Sequence, residues 1–207
     1  MAHVKGGIGS MFSGKVEGLV FVQLNGETIT RRAPRRKKDS WTPAMLLNQK
    51  RFREVNNFCG QFKFSLIPQI WNGAAEKMSG YALFLKSNMP AFAPDGSLLD
   101  PKLVRLSTGK LTLPPGFIAG RAEVEGSIIE VSWPMDLHNG GIQLKDELMV
   151  ISAADGQYSE ITDTNILRGA LNGTFELPEL PIPATHIYLF FGSRDRRDYS
   201  KSVCFEI

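Results

Sequence analysis

The sequence predicts an α+β protein in two parts: an N-terminal β-hairpin followed by helices, and a C-terminal antiparallel β-sandwich. Three observations predict it. A glycine-rich opening leads into an apolar run and an Asn-Gly pair, a helical period takes over near residue 42, and beyond residue 107 β-rich runs recur at roughly ten- to fifteen-residue intervals. With 207 residues, 43% hydrophobic and 22% charged, the chain has the composition of a globular protein that can bury a core. No run approaches the roughly 18 apolar residues of a spanning helix, and residues 1–10 lack the apolar stretch of a secretory leader. A soluble protein of the cytoplasm, with no membrane partner, is therefore expected.

The first segment carries Gly6, Gly7, Gly9, Gly14 and Gly18, then Leu19-Val20-Phe21-Val22, and Asn25-Gly26 stands between that run and Thr28-Ile29-Thr30. Asn-Gly suits a two-residue turn in which both residues take positive φ, so residues 15–32 read as a β-hairpin. From Thr42, a capping residue, and Pro43, which fits the first helical position, a helix over 43–59 is predicted. Leu46, Gln49, Phe52 and Val55, continued by Phe58 and Cys59, are its expected core face. Helical segments follow at 67–71 and 79–88, the latter with Tyr81, Phe84 and Leu85 on one side and Pro90 ending it. Strands are expected at 110–113, 119–124, 127–133, 147–153, weakly at 159–161, and at 173–177, 185–193 and 201–207. Within 127–133, Ile129, Val131 and Trp133 share a face. About seven strands in about 100 residues is the arithmetic of an immunoglobulin-like sandwich.

The formal charge of +3 divides unevenly. Residues 1–106 hold 16 Lys plus Arg against 7 Asp plus Glu, a balance of +9, and residues 107–207 hold 8 against 14, a balance of −6. Prolines at 90, 94, 101, 114 and 115 make 90–115 read as a connector. Two domains are expected, a hairpin and helical unit over 1–106 and a sandwich over 107–207, with the boundary near Ser107.

Ile129-Glu130-Val131-Ser132-Trp133 resembles the pattern around the core tryptophan of fibronectin type III domains. The stretch FELPELPIPATHIYLFFGS is similar to that family's leucine, proline and tyrosine corner, with Ile187 rather than Tyr188 at the counted tyrosine position. The N-terminal motifs GGIGSMFSGKVEGLVF, TITRRAP, TPAMLLNQKRFREV and MSGYALFLKSN resemble a family of Bacteroidetes-type bacterial proteins of unknown function, from which this chain departs at Glu17 and Ala82. That resemblance implies a chain ending in an Ig-like segment and brings no activity with it.

The densest charge feature is the run Arg31, Arg32, Ala33, Pro34, Arg35, Arg36, Lys37, Lys38, six cations in eight positions. Arg31, Arg32, Arg35, Arg36, Lys37 and Lys38 are the candidate anion or nucleic-acid-binding residues, because six phosphate contacts would bind tightly with a steep salt dependence. The competing reading is a solvated strand end whose charges discourage edge pairing. Trp41 beside the run would stack a base, or pack against the helix that follows. Gly9 to Gly14 has P-loop spacing, yet Val16 replaces the magnesium-holding hydroxyl and a strand rather than a helix follows. His3, His138 and His186 have no acid or second histidine at i+3 or i+4, and Cys59 and Cys204 stand 145 positions apart. No catalytic residue, metal site or cofactor is expected. Arg194-Asp195-Arg196-Arg197-Asp198 reads as a self-neutralising hairpin tip.

The function these features support is that of a non-enzymatic interaction or structural protein acting through a surface. Its expected partner is another protein. The alternative is nucleic-acid binding through residues 31–38, with Lys50, Arg51 and Arg53 assisting, and no motif points to a small-molecule substrate.

Overall fold

Four short strands come first: β1 (Ala2–Val4), β2 (Gly14–Val16), β3 (Leu19–Leu24) and β4 (Glu27–Arg32). The computed structural model describes residues 2–4 by their backbone alone, and residues 13–24, 26–34, 41–122, 127–135 and 144–207. Glu17 at φ 43° and Gly18 at φ 82° form the two-residue reversal between β2 and β3, and Gly26 at φ 80° lies in the next one. The expected hairpin over 15–32 is thus present within a larger antiparallel sheet, ordered β1-β4-β3-β2. Gly14 and Lys15 lie in a strand, so no helix N-terminus follows the P-loop spacing.

The chain divides into two compact units, Met1–Thr42 and Pro43–Ile207. This corrects the expected boundary near Ser107, which lies inside the second unit and is itself buried. The second unit opens with α1 (Pro43–Gly60) and continues through a π-helical turn, Ile67–Trp71, into α2 (Asn72–Ala74) and then α3 (Gly80–Asn88). Ser79 caps α3, its hydroxyl accepting the Ala82 N–H at 3.2 Å. Residues 90–115 are no linker. Ala91, Phe92, Val104 and Leu106 are buried, the Trp71 indole donates to the Leu106 carbonyl at 2.9 Å, and Asn88 is tied to Arg105 through both main-chain groups.

The strands that follow are β5 (Ile118–Arg121), β6 (Ile128–Ser132), β7 (Glu147–Ala154), β8 (Gln157–Tyr158), β9 (Thr162–Leu167), β10 (Asn172–Glu176), β11 (His186–Gly192) and β12 (Val203–Glu206). They form two antiparallel sheets. One has the order β10-β6-β5, and the other runs β12-β11-β7 with both β8 and β9 on the far edge of β7. The expected strand at 110–113 does not form; Leu111 makes only a single bridge to Ser200. Residues 159–161, expected as a weak strand, fall in the break between β8 and β9.

The two central strands of the larger sheet, β7 and β11, are buried on both faces. Leu148 and Val150 of β7 and Ile187, Leu189 and Phe191 of β11 join Ile129 and Val131 of β6, and Trp133 just beyond it, in one apolar cluster. The alternate residues, Met149, Ile151 and Ala153 with Tyr188 and Phe190, join Val55, Phe58, Trp71 and Phe84 from the helical segment in another. The second unit is therefore three layers deep, sheet on sheet on helices, and the central strands of its middle layer have no solvent face to be polar on. Among the described residues no helix is long and apolar enough to cross a membrane.

Candidate interaction surface

Arg31 and Arg32 end β4, exposed and paired across the ladder with Val20 and Leu19. Being adjacent on a strand, they project to opposite faces. One face carries the row Lys15, Val20, Arg31 and the other the row Val16, Leu19, Arg32. Arg35, Arg36, Lys37 and Lys38 lie outside the described residues, as does His138. The helix cations belong to the second unit and are unequally available. Arg51 donates to the Met89 carbonyl at 2.7 Å, while Arg53 is 3.4 Å from Glu54. Lys50 lies near Asp95, whose carboxyl is held below the usual range chiefly by the Ser97 N–H and hydroxyl, with the lysine charge adding to them.

Helix α1 buries only its C-terminal half, through Val55, Phe58 and Cys59. The expected core face is corrected at its first three positions. Leu46, Gln49 and Phe52 are exposed, because steps of three residues fall about 60° short of a full turn and wind the stripe around the helix. Leu46 thus stands about 180° from Val55, on the side away from the core. There a groove of about 680 Å³ is lined by Leu46, Asn48, Gln49, Lys50, Phe52 and Arg53. Leu46 is 52% exposed, Phe52 53% and Trp41 49%.

A second concavity of about 500 Å³ lies beside the β7–β8 turn and the start of β11, lined by Leu98, Pro101, Asp155, Tyr158, His186 and Tyr188 among others. The Tyr188 hydroxyl donates to the Pro101 carbonyl at 2.9 Å. Burial pushes the Tyr158 phenol up to about 12 and raises Tyr188 further, so both rings stay protonated and offer apolar contact rather than a base. Both cysteines are thiols. Burial raises Cys59 to about 12 and Cys204 to about 11.

Charged groups inside the second unit are paired. Arg168, almost fully buried, donates to the Thr112 carbonyl at 2.6 Å, stacks over the Phe191 ring at 5.3 Å and faces Asp146 at 3.9 Å. Arg196 bonds both Glu147 and Asp163, and the turn around it closes with Ser193 accepting from Arg196 and donating to the Asp198 carbonyl through main-chain groups. Among the described residues no three His, Cys, Asp or Glu side chains gather to hold a metal ion.

No protein-family model, no curated protein and no solved structure matches the chain.

Proposed function

We propose that this is a non-enzymatic interaction protein that works through a surface, and that its second unit contains an Ig-like, fibronectin type III-like sandwich. The strand order supports the sandwich: β5, β6 and β10 in one sheet, β12, β11 and β7 in the other, with the short β8 and β9 beyond, is the distribution of strands found in such domains. The observation that carries the function is the N-terminal half of α1. Exposed side chains as large as leucine and phenylalanine lining one groove mark a contact site far more often than scattered ones do. A photoreactive phenylalanine analogue at position 46 should cross-link to discrete macromolecules in the source cells, while the same group at Leu99, 60% exposed and outside α1, should not. Equal, diffuse labelling from both positions would sink the proposal.

A second reading, nucleic-acid binding through Arg31, Arg32 and residues 35–38, is supported by where the charge falls. Met1–Thr42 holds 8 Lys plus Arg against 3 Asp plus Glu, a balance of +5 in the smaller unit. Replacing Arg35, Arg36, Lys37 and Lys38 with Ala should then weaken retardation of DNA and flatten its salt slope; an unchanged slope would rule the reading out.

A further inference from the structure

We propose that the concavity of about 500 Å³ beside the β7–β8 turn binds a small apolar amine, its hydrocarbon body against Leu98, Ile182 and Tyr158 and its ammonium group at Asp155. This site lies apart from the α1 groove and does not depend on the surface reading above. Three stretches wall it, residues 98–101, the β7–β8 hairpin and residues 182–188. Walls on three sides suit a compact molecule better than an extended chain, and the volume lies within the roughly 300–1,000 Å³ of ligand pockets. The polar atoms of its interior are already engaged. The phenols of Tyr158 and Tyr188 bond each other, Tyr188 donates to the Pro101 carbonyl at 2.9 Å, and the Thr185 hydroxyl is 2.9 Å from His186 Nδ1. What the interior offers a ligand is therefore ring and alkyl surface. Charge decides the other half of the ligand. Among the described residues that line the site there is one carboxylate, Asp155, exposed at the rim, and no Lys or Arg. Glu206 stands directly across the ladder from His186, so it projects on the same face beside the site. Asp100 and Lys102, on either side of Pro101, offset each other near Cys204. Neither Asp155 nor Glu206 has an ion-pair partner among the described residues. An anion would meet two carboxylates here and no cation in the lining, so the complement is apolar and positive.

The test uses the full chain and dansylcadaverine, a fluorescent primary amine, with its N-acetyl derivative as the neutral control and dansyl aminohexanoate as the anionic one. Because Asp155 is exposed, its ion pair is worth about fivefold, so fluorescence titration should show the amine bound about that much more tightly than the neutral control. The anionic control should bind more weakly still, and the preference should fade as salt rises. Asp155→Asn should lower the amine's affinity by about the same fivefold and leave the neutral control's unchanged. Asparagine suits the φ of 52° at this position, so the turn is kept. Leu98→Trp, at a side chain 40% exposed, should fill the concavity and abolish binding of the amine with no change in melting temperature. Leu46→Ser with Phe52→Ser, in the α1 groove, should leave amine binding as it was, which separates this site from that surface. Equal affinity for the three compounds, no binding of any, an unchanged amine affinity in Asp155→Asn, or amine binding that survives Leu98→Trp but is lost with the α1 changes would each overturn the proposal.

Discussion

Asp146 and Arg168 face each other across 3.9 Å at the edge of the cluster between the two sheets, yet Asp146 Oδ2 accepts no hydrogen bond. Arg168 already has the Thr112 carbonyl and the Phe191 ring. Burial raises the Asp146 carboxyl to about 6; the arginine opposes this and Asp198 adds to it. A carboxyl whose folded pKa exceeds its unfolded value of 3.8 takes up a proton on folding in between. Its contribution is therefore most favourable below pH 3.8 and is lost as pH rises through about 6. Relative to Asp146→Asn, the native chain should lose on the order of 2 kcal/mol between pH 4 and pH 7, read by denaturant titration across that range. A constant difference would show that folding leaves the carboxyl's pKa unshifted.

Trp133 lies flat against Phe117, centroids 5.1 Å apart at 5°, meets Phe191 edge-on and donates its indole N–H to the Arg168 carbonyl at 2.9 Å. Trp133→Ala should cost about 3 to 5 kcal/mol. Trp133→Phe should also destabilise, because the carbonyl is left without its donor. A loss under 1 kcal/mol for Trp133→Ala would mean that the two sheets do not close over this side chain.

The helices and the larger sheet share one core, so residues 107–207 expressed alone should fail to melt cooperatively and should bind hydrophobic dyes. Residues 43–207 should show a single transition. An isolated, cooperatively folding 107–207 fragment would contradict the burial of Met149, Ile151, Tyr188 and Phe190 against the helical segment.

Cys59 is fully buried and Cys204 partly so, with thiols at about 12 and about 11. At pH 8 a disulfide reagent should modify Cys204 slowly and first, and Cys59 only as the chain unfolds, since the thiolate is the reactive form. Mass spectrometry of partly labelled protein reads the order directly. Prior labelling of Cys59 would place it at the surface.

Local signals carried much of this fold into view from the sequence. The helix from Pro43, the helical segment ending before Pro90 and the Ile129, Val131, Trp133 face are set by neighbouring residues, and each is where the residues place it. The division of the chain was not legible, because a proline-rich stretch such as 90–115 looks the same whether it spans solvent or fills a core. The strand after Tyr158 was missed for another reason: TDTNIL has almost no apolar alternation, and its pairing with β7 is irregular. The reversal at Glu17 has no glycine at its first position, yet its φ is one that glycine suits. Of the candidate surface, the cations were visible and the exposed Leu46 and Phe52 were not. Their spacing fits a core stripe until the helix's rotation relative to the sheet is known.

A sheet with one wet face carries its own alignment code, since sliding a strand by one residue would turn its apolar side to water. The double burial of β7 and β11 erases that code. After a one-residue slip of β11, Ile187 and Leu189 would exchange places with Tyr188 and Phe190, one oily set for another. One polar atom on the strand does distinguish the two alignments, the Tyr188 hydroxyl. In the native pairing the Tyr188 hydroxyl reaches the Pro101 carbonyl, and in the slipped one it would be marooned among Trp133, Ile129 and Val131. The phenol of Tyr188 acts as the key that tells this strand which way is up.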